Sequence, residues 1–407
     1  MNRKVLLIEP NYRNKYPPMG LMKLATYYRM VGDDVRFYKG DMRSLAVELI
    51  CEDLISHLSV VFPDIFWKDY YPTLFSFIKL GKYAILENDD IFSDELILEV
   101  VKEYRKKYKE KEYFAKPRFD KVGITTLFTF YWDITIDTIN FAKQLCKNEV
   151  DVMVGGIMSS ILPDEIYKAT GIHPFVGLLN HPGDIDSGNE LIIDELPLDY
   201  SILEEIDYVY PANNAYFAYM TRGCVNRCKF CAVPKLEPQY CDYIELQKRI
   251  EHTNNRFGAR KDLLLLDNNV LASKYYDQII DEIKACGFGV GAKYTSPDEY
   301  EITINNLRDS YNDRAYIRKA IRIYKEIIDK LKDDTERAEL YMRLEQAHCL
   351  NYYSASKDSI LALDEYIHPL YEKTHKPTKR KRIVDFNQGI DSRLITKAKY
   401  LSASHSI

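Results

Sequence analysis

Three cysteines fall within eight residues of this chain, at Cys224, Cys228 and Cys231. The spacing, Cys-x3-Cys-x2-Cys, lets one short loop converge three thiolates without the entropic cost of closing a long loop. Thiolates are the ligands that iron–sulfur clusters take, and three of them hold three corners of a [4Fe-4S] cube. The pattern therefore predicts a cluster whose fourth iron has no protein ligand.

Zinc is the main alternative for this cysteine group. Cys241 or a distant histidine would complete a tetrahedral site, although zinc knuckles usually pair two Cys-x2-Cys units across a longer gap. A disulfide framework is disfavoured, because 8 cysteines in 407 residues are too few for one. The other cysteines lie in apolar or helical sequence and are expected to be ordinary thiols: Cys51, Cys146, Cys286 and Cys349.

Length and composition predict a globular protein with two domains. The chain has 407 residues and is 46% hydrophobic, which is enough for two sizeable cores. Its net charge of −5 gives no global attraction to nucleic acid or to an anionic membrane. The apolar run at residues 5–8 is too short for a signal peptide, and no stretch is long enough to span a bilayer. We therefore expect a cytoplasmic protein with no membrane partner.

The first two hundred residues alternate between strand and helix patterns. Short apolar runs predict strands at residues 5–8, 35–38, 122–126 and 150–154, and helical spacing predicts helices at 18–31 and 132–146. Such alternation predicts an α/β fold with a doubly wound, Rossmann-like parallel sheet. A charged segment rich in tyrosine and phenylalanine, at about residues 42–121, is predicted to be a helical insertion that covers the sheet.

The second half repeats the strand pattern with a longer interruption. Strands are predicted at residues 216–221, 263–266 and 383–394, with helices at 243–256 and 274–286. Between the second and third strands, at about residues 298–380, apolar residues at helical spacing predict a second helical insertion. It ends in a basic run at 375–382, which would either contact phosphates or serve as a solvated linker.

The cysteine spacing, with the aromatic Phe230 directly before Cys231, resembles the signature of radical S-adenosylmethionine (radical SAM) enzymes. The resemblance implies that S-adenosylmethionine (SAM) chelates the open iron of the [4Fe-4S] cluster. It also implies reductive cleavage of SAM to a 5′-deoxyadenosyl radical, which acts on an unknown substrate. The electron would come from an external donor of the flavodoxin or ferredoxin type.

The order of the two halves is similar to one branch of this family, in which a cobalamin-binding-like α/β domain precedes the catalytic barrel. The matching segments are residues 7–10, 17–21, 155–156 and 197–200. The base-off cobalamin motif, Asp-x-His-x-x-Gly, supplies a histidine to cobalt, and residues 9–20 contain none. Relatives without that histidine bind cobalamin with no protein ligand or have lost it, so cobalamin is disfavoured but stays open.

The resemblance implies domains at residues 1–200 and 201–407, the second a partial (β/α) TIM-type barrel with its chemistry at the carboxyl ends of the strands. Asp267 and Asn268, after the second strand, would approach the methionine end of SAM; capping of the next helix is the alternative. Residues near the third strand would face the SAM carboxylate, the ribose or the substrate, with an ordinary strand-end turn as the alternative. They are Asn387, Gln388, Asp391 and Arg393.

Family barrels have six strands, and this sequence offers three, so the resemblance implies a barrel truncated at its carboxyl end. Activity is therefore not implied by the cysteines alone. The alternatives are a non-catalytic interaction protein that binds a metal cluster or zinc, and an RNA-modifying radical enzyme that uses the basic run.

Overall fold

The computed structural model describes residues 2–229, 231–386 and 404–405. The described part is a mixed α/β structure with two four-stranded parallel sheets and many helices. The sequence-based prediction of an α/β fold with a parallel amino-terminal sheet is therefore confirmed.

The amino-terminal sheet is buried on both faces. Its strands are β1 (Lys4–Glu9), β2 (Asp34–Lys39), β3 (Lys121–Thr126) and β4 (Val152–Gly156). All are parallel, in the order β2-β1-β3-β4. Because successive side chains of a strand point to opposite faces, Leu7 joins the core on one face while Leu6 and Ile8 join the core on the other. Apolar side chains on both faces require helices on both.

Helices cover both faces of this sheet. They are α1 (Met19–Met30), α2 (Met42–Val61), α3 (Tyr71–Leu80), α4 (Glu95–Lys109), α5 (Trp132–Ala142), α6 (Ile157–Ile161) and α7 (Pro163–Thr170). Helix α1 packs on the Leu7 face, and α2, α5 and α7 pack on the opposite face. The far side of α2 joins α3 and α4 in a separate core around Trp67 and Phe77. Asp41 and Asp94 cap α2 and α4 by accepting backbone N–H groups.

The second half contains a parallel sheet and a short antiparallel ribbon. Its strands are β5 (Ala215–Ala218), β6 (Asp262–Leu265), β7 (Lys293–Thr295), β8 (Lys379–Lys381), β9 (Val384–Asp385) and β10 (Ser404–His405). The parallel sheet has the order β10-β9-β6-β5, and β7 pairs with β8 alone. The helices that accompany the parallel strands are α8 (Val233–Leu236), α9 (Gln247–Phe257) and α10 (Tyr276–Ile283).

A block of four helices lies between β7 and β8. They are α11 (Glu299–Arg308), α12 (Asp313–Asp329), α13 (Asp334–Gln346) and α14 (Lys357–Thr374). Tyr324, Leu344 and Ile360 belong to its own buried core. Strand β7 directly precedes the block and β8 directly follows it, so their pairing brings the two ends of the block together.

The two parallel sheets share one core. Val5 and Leu7 of the first sheet belong to the same buried cluster as Phe217 and Leu264 of the second, and α1 contributes to it as well. Within the described residues, no helix combines the length and apolar character needed to cross a membrane.

Candidate metal centre

The cysteine loop leaves the sheet at the carboxyl end of β5. Cys224 is half-buried, while Cys228 and Cys231 are exposed. The Asn226 backbone N–H points at the Cys224 Sγ at 3.4 Å, and the Asn269 side-chain amide does so at 3.6 Å. The thiols are thus accessible to a metal, and one of them already receives the N–H contacts that tune iron–sulfur clusters.

The donor set of this loop fits an iron–sulfur cluster, because it offers three thiols within eight residues. In the described part of the chain, however, no three Cys, His, Asp or Glu side chains stand close enough together to hold a metal ion. Binding a cluster therefore requires the exposed part of the loop to change conformation so that the three thiols converge.

Asp267 fixes the first part of the loop stem, residues 220–223, which leads from β5 into the cysteine loop. It lies at the end of β6 and is only 2% exposed. Its Oδ1 accepts hydrogen bonds from the Met220 N–H at 3.0 Å, the Thr221 N–H at 2.5 Å and the Thr221 hydroxyl at 2.6 Å, and its Oδ2 accepts a 3.2 Å hydrogen bond from the Met220 N–H. Burial raises the pKa of Asp267 to about 6, against these hydrogen bonds. The carboxylate predicted to approach SAM is thus engaged mainly with the loop stem.

Glu237 fixes the second part of the stem. Its carboxylate accepts hydrogen bonds from the Gly223 N–H at 2.7 Å, the Asn268 side-chain amide at 2.7 Å and the Arg222 guanidinium at 2.5 Å. The predicted site residue Asn268 therefore lies beside the cysteine loop and connects the end of β6 to it. Cys241 lies across from Arg222, with which it exchanges two backbone hydrogen bonds of 3.0 Å.

Arg222 links the stem to the amino-terminal half. Its guanidinium lies 3.8 Å from the Tyr219 ring centroid and 2.5 Å from the Asp194 carboxylate, which also accepts a 2.7 Å hydrogen bond from Lys23 of α1. Burial lowers the pKa of Lys23 to about 8. Burial by itself raises the pKa of Asp194, but the positive charges of Lys23 and Arg222 outweigh burial and hold that pKa below its ordinary value.

Several predicted residues fall outside the described part of the chain. They are Phe230, Asn387, Gln388, Asp391 and Arg393. Their roles stay predictions.

The carboxyl edge of the amino-terminal sheet does not fit a histidine-ligated cobalamin. The loop at residues 9–20 carries no histidine. Where β1 and β2 end, Glu9 and Lys39 form a buried ion pair at 2.8 Å, which Tyr210 and Asn14 join by hydrogen bonds to Glu9. Gly156 at the end of β4 has φ +112°, and a Cβ there would lie 2.4 Å from the Thr126 carbonyl oxygen, so strand packing accounts for this glycine.

Comparison with known proteins gives distant similarities to solved structures. No protein-family model matches the sequence, and no curated protein matches it significantly. One similar solved structure is the radical SAM methyltransferase TsrM from Kitasatospora setae with cobalamin and a [4Fe-4S] cluster bound; it shares 16% identity over 70% of this chain, with a TM-score of 0.36. This chain spans about half of that protein, 52% of its length. A second structure of TsrM, with tryptophan substrate and the SAM analogue aza-SAM bound, shares 12% identity over 100% of this chain and 73% of that chain, with a TM-score of 0.37.

Sequence reasoning missed part of the stem. Arg222 and Gly223 directly precede the first cysteine, and Asn269 follows the two predicted residues of β6, so proximity in sequence was an available signal for all three. Asp194 and Glu237 carried no such signal, because isolated carboxylates in loop sequence are ordinary surface residues.

Proposed function

We propose that the chain is a radical SAM enzyme in which Cys224, Cys228 and Cys231 hold a [4Fe-4S] cluster and SAM occupies the open iron. The observation that carries the proposal is three accessible thiols in one loop at the carboxyl end of a parallel strand, on a stem that two buried carboxylates hold. The carboxyl ends of strands are where β/α barrels carry their chemistry.

A bound cluster would supply the electron that cleaves SAM to a 5′-deoxyadenosyl radical, delivered by a flavodoxin- or ferredoxin-type donor. The protein's own contribution is placement. Asp267 and Glu237 hold the stem at residues 220–223, and the Asn269 amide faces the Cys224 sulfur. Such N–H contacts raise the reduction potential of a thiolate-ligated centre by withdrawing electron density from sulfur.

The proposal includes a fold assignment. The amino-terminal sheet, with helices on both faces, supports a doubly wound, cobalamin-binding-like domain over residues 1–200. The sequential parallel order of β5, β6 and β9 supports a partial TIM-type barrel over residues 201–407.

Anaerobic reconstitution with iron and sulfide tests the assignment. The wild-type protein should bind about four iron atoms, show thiolate-to-iron absorption, and form 5′-deoxyadenosine from SAM after dithionite reduction. Cys228→Ala should lose both properties, while Cys241→Ala, at a neighbouring exposed cysteine outside the motif, should keep them. A protein with a full cluster that cleaves no SAM would refute the enzymatic proposal and leave the non-catalytic cluster-binding alternative.

A zinc site is the second candidate, favoured by the backbone pairing of Cys241 with Arg222 at the loop stem. In that case metal analysis of the purified protein should find about one zinc per chain. Cys241→Ala should then weaken zinc binding as much as Cys228→Ala does, which is the opposite of the cluster prediction.

A further inference from the structure

The ribbon formed by β7 and β8 gathers basic side chains from both ends of the carboxyl-terminal helical block. Lys293 stands opposite Lys381, Tyr294 opposite Arg380, and Thr295 opposite Lys379. Tyr294 is 3% exposed and so marks the inner face. Since side chains alternate between faces, Lys293, Lys379 and Lys381 all lie on the outer face, and all three are exposed.

The positive charges of this ribbon have no acidic partner in the part of the chain that the structure describes. Within the described residues, no acidic side chain pairs with Lys293, Lys379, Arg380 or Lys381, and none of these four side chains forms a hydrogen bond there. Like charges directly opposite each other destabilise a strand pair. The chain as a whole is acidic, with a net charge of −5, so this concentration of positive charge is local.

The spacing of these charges suits a phosphodiester backbone. Lys379 and Lys381 are two residues apart on one face, which separates them by about 7 Å. Lys293 is directly across from Lys381, about 5 Å away. A groove in the helical block is lined by the carboxylates of Asp298, Glu301, Asp364 and Glu372, and by Arg308, which pairs with Asp364. The excess of carboxylates in this groove disfavours a polyanion there.

The ribbon and the cysteine loop lie at opposite edges of the parallel sheet. Lys381 ends β8 shortly before β9 begins at Val384, and the Ile383 N–H donates to Asp262 at the amino end of β6 at 3.0 Å. The cysteine loop instead leaves the carboxyl end of β5. A small nucleotide held by the ribbon would therefore lie away from the thiols, whereas an extended strand is long enough to contact both edges.

We propose that the outer face of the ribbon, with Lys293, Lys379 and Lys381, is a docking surface for the phosphodiester backbone of a single-stranded nucleic acid. Recognition is electrostatic and independent of base sequence, since lysine contacts to phosphates position a strand without reading its bases. The surface does not depend on a metal at the cysteine loop.

Fluorescence anisotropy with the full-length protein tests the proposal, using labelled RNA and DNA oligonucleotides of about 20 nucleotides in mixed sequence. If all three lysines contact phosphates, the logarithm of the association constant should fall with the logarithm of salt concentration with a slope of about −2. The Lys293→Gln, Lys379→Gln, Lys381→Gln triple variant should bind roughly 100-fold more weakly at 0.1 M salt and reduce that slope by about 2.

The matched control changes three exposed lysines elsewhere: Lys68→Gln, Lys82→Gln and Lys109→Gln. It removes the same net charge and should leave affinity and slope unchanged. Equal weakening by both triple variants would overturn the proposal, as would no binding by wild type, or binding to phosphatidylserine vesicles without binding to RNA or DNA. Equal affinity for RNA and DNA would support recognition of the phosphodiester backbone alone. Tighter binding of RNA would support the same surface with an additional contact to the ribose 2′-hydroxyl. Neither result depends on SAM cleavage, so the ribbon proposal and the enzymatic proposal fail separately.

Discussion

Gly223 stands directly before the first cysteine, in a left-handed backbone conformation with φ +68°. A Cβ at this position would lie 2.4 Å from the Gln239 carbonyl oxygen. Gly223→Ala should therefore destabilise the protein by the cost of a left-handed alanine, about 1–2 kcal/mol, and by a further amount for displacing the backbone at Gln239.

Gly183 provides the matched control for this prediction. It has a similar φ of +79°, but a Cβ there meets nothing within 4 Å. Denaturant unfolding should show that Gly183→Ala lowers the free energy of unfolding only by the cost of a left-handed alanine, about 1–2 kcal/mol. Equal losses in the two variants would mean that the loop stem yields freely at Gln239 and is not rigid.

Asp267 gives the stem a pH dependence with a defined sign. Burial raises its pKa in the folded protein to about 6 from an ordinary value of 3.8. The folded state therefore keeps a proton that the unfolded state has lost, so this stability contribution is full below about pH 4 and is lost as pH rises through 6. The shift corresponds to about 3 kcal/mol.

Asp267→Asn removes that titration. The difference in unfolding free energy between wild type and variant should fall by up to about 3 kcal/mol from pH 4 to pH 7. Urea unfolding across that range measures it, with exposed Asp64→Asn as the control for general charge effects. A difference that rises with pH would mean that the hydrogen bonds of the stem outweigh burial.

At the scale of elements, periodicity predicted the regular parts of the fold. The apolar runs at residues 5–8 and 35–38 became β1 and β2, and the helical pattern at 18–31 became α1. Helix α9 begins at Gln247 instead of the predicted residue 243, because Glu282 of α10 accepts the N–H groups of Leu246 and Gln247 and caps the helix there. The chain reaches Glu282 only after folding, so local sequence could not fix this boundary.

The β7–β8 ribbon shows the other limit of sequence patterns. Residues 379–381 are all basic and have no apolar alternation, so they were predicted only as part of a charged exit from the helical insertion. They form a strand because the helical block returns them beside β7, some 85 residues earlier in the chain. Strand pairing at that separation depends on tertiary structure, which overrides local propensity.

The contrast between a fixed stem and an exposed loop predicts a pattern of hydrogen exchange. Cluster reconstitution should slow amide exchange in residues 224–231, because three thiolate bonds restrain that segment. It should change residues 220–223 little, since buried carboxylates already hold them. Hydrogen–deuterium exchange by mass spectrometry measures both segments, with reconstituted Cys228→Ala as the control. Slowing of the stem together with the loop would mean that the carboxylate contacts form only with the cluster.

At the scale of the whole molecule, the sequence predicted the metal-binding role of the cysteines, but it did not predict which residues hold the loop stem in place. The three thiols share one local motif, whereas the stem is held by residues from separate elements that meet only in the folded chain: Asp194, Glu237 and Asp267. The same is true of the contact between the two halves, which depends on buried charges distant in sequence.

Arg29 of α1 is central to that contact. Its guanidinium pairs with Asp199 at 2.9 Å and Glu205 at 3.2 Å, and both carboxylates have fully buried side chains. Asn312, before α12, also donates to Glu205 at 2.8 Å, which connects the carboxyl-terminal helices to the same group. Arg29→Met would leave the buried Asp199 without the cation that pairs with it and would leave Glu205 with the more distant Arg314, at 3.7 Å, at a cost of about 3–5 kcal/mol. Breaking the partly exposed Arg308–Asp364 pair by Arg308→Met should cost less than about 1 kcal/mol.

Because both sheets share one core, the loss at Arg29 should lower the stability of the entire chain in a single transition. Both tryptophans, Trp67 and Trp132, lie in the amino-terminal half, so their fluorescence reports on that half, while far-ultraviolet circular dichroism reports on all helices. In Arg29→Met the two signals should shift to lower denaturant concentration together. If circular dichroism moved and fluorescence did not, the halves would unfold separately, and the buried charges would stabilise only the carboxyl-terminal half.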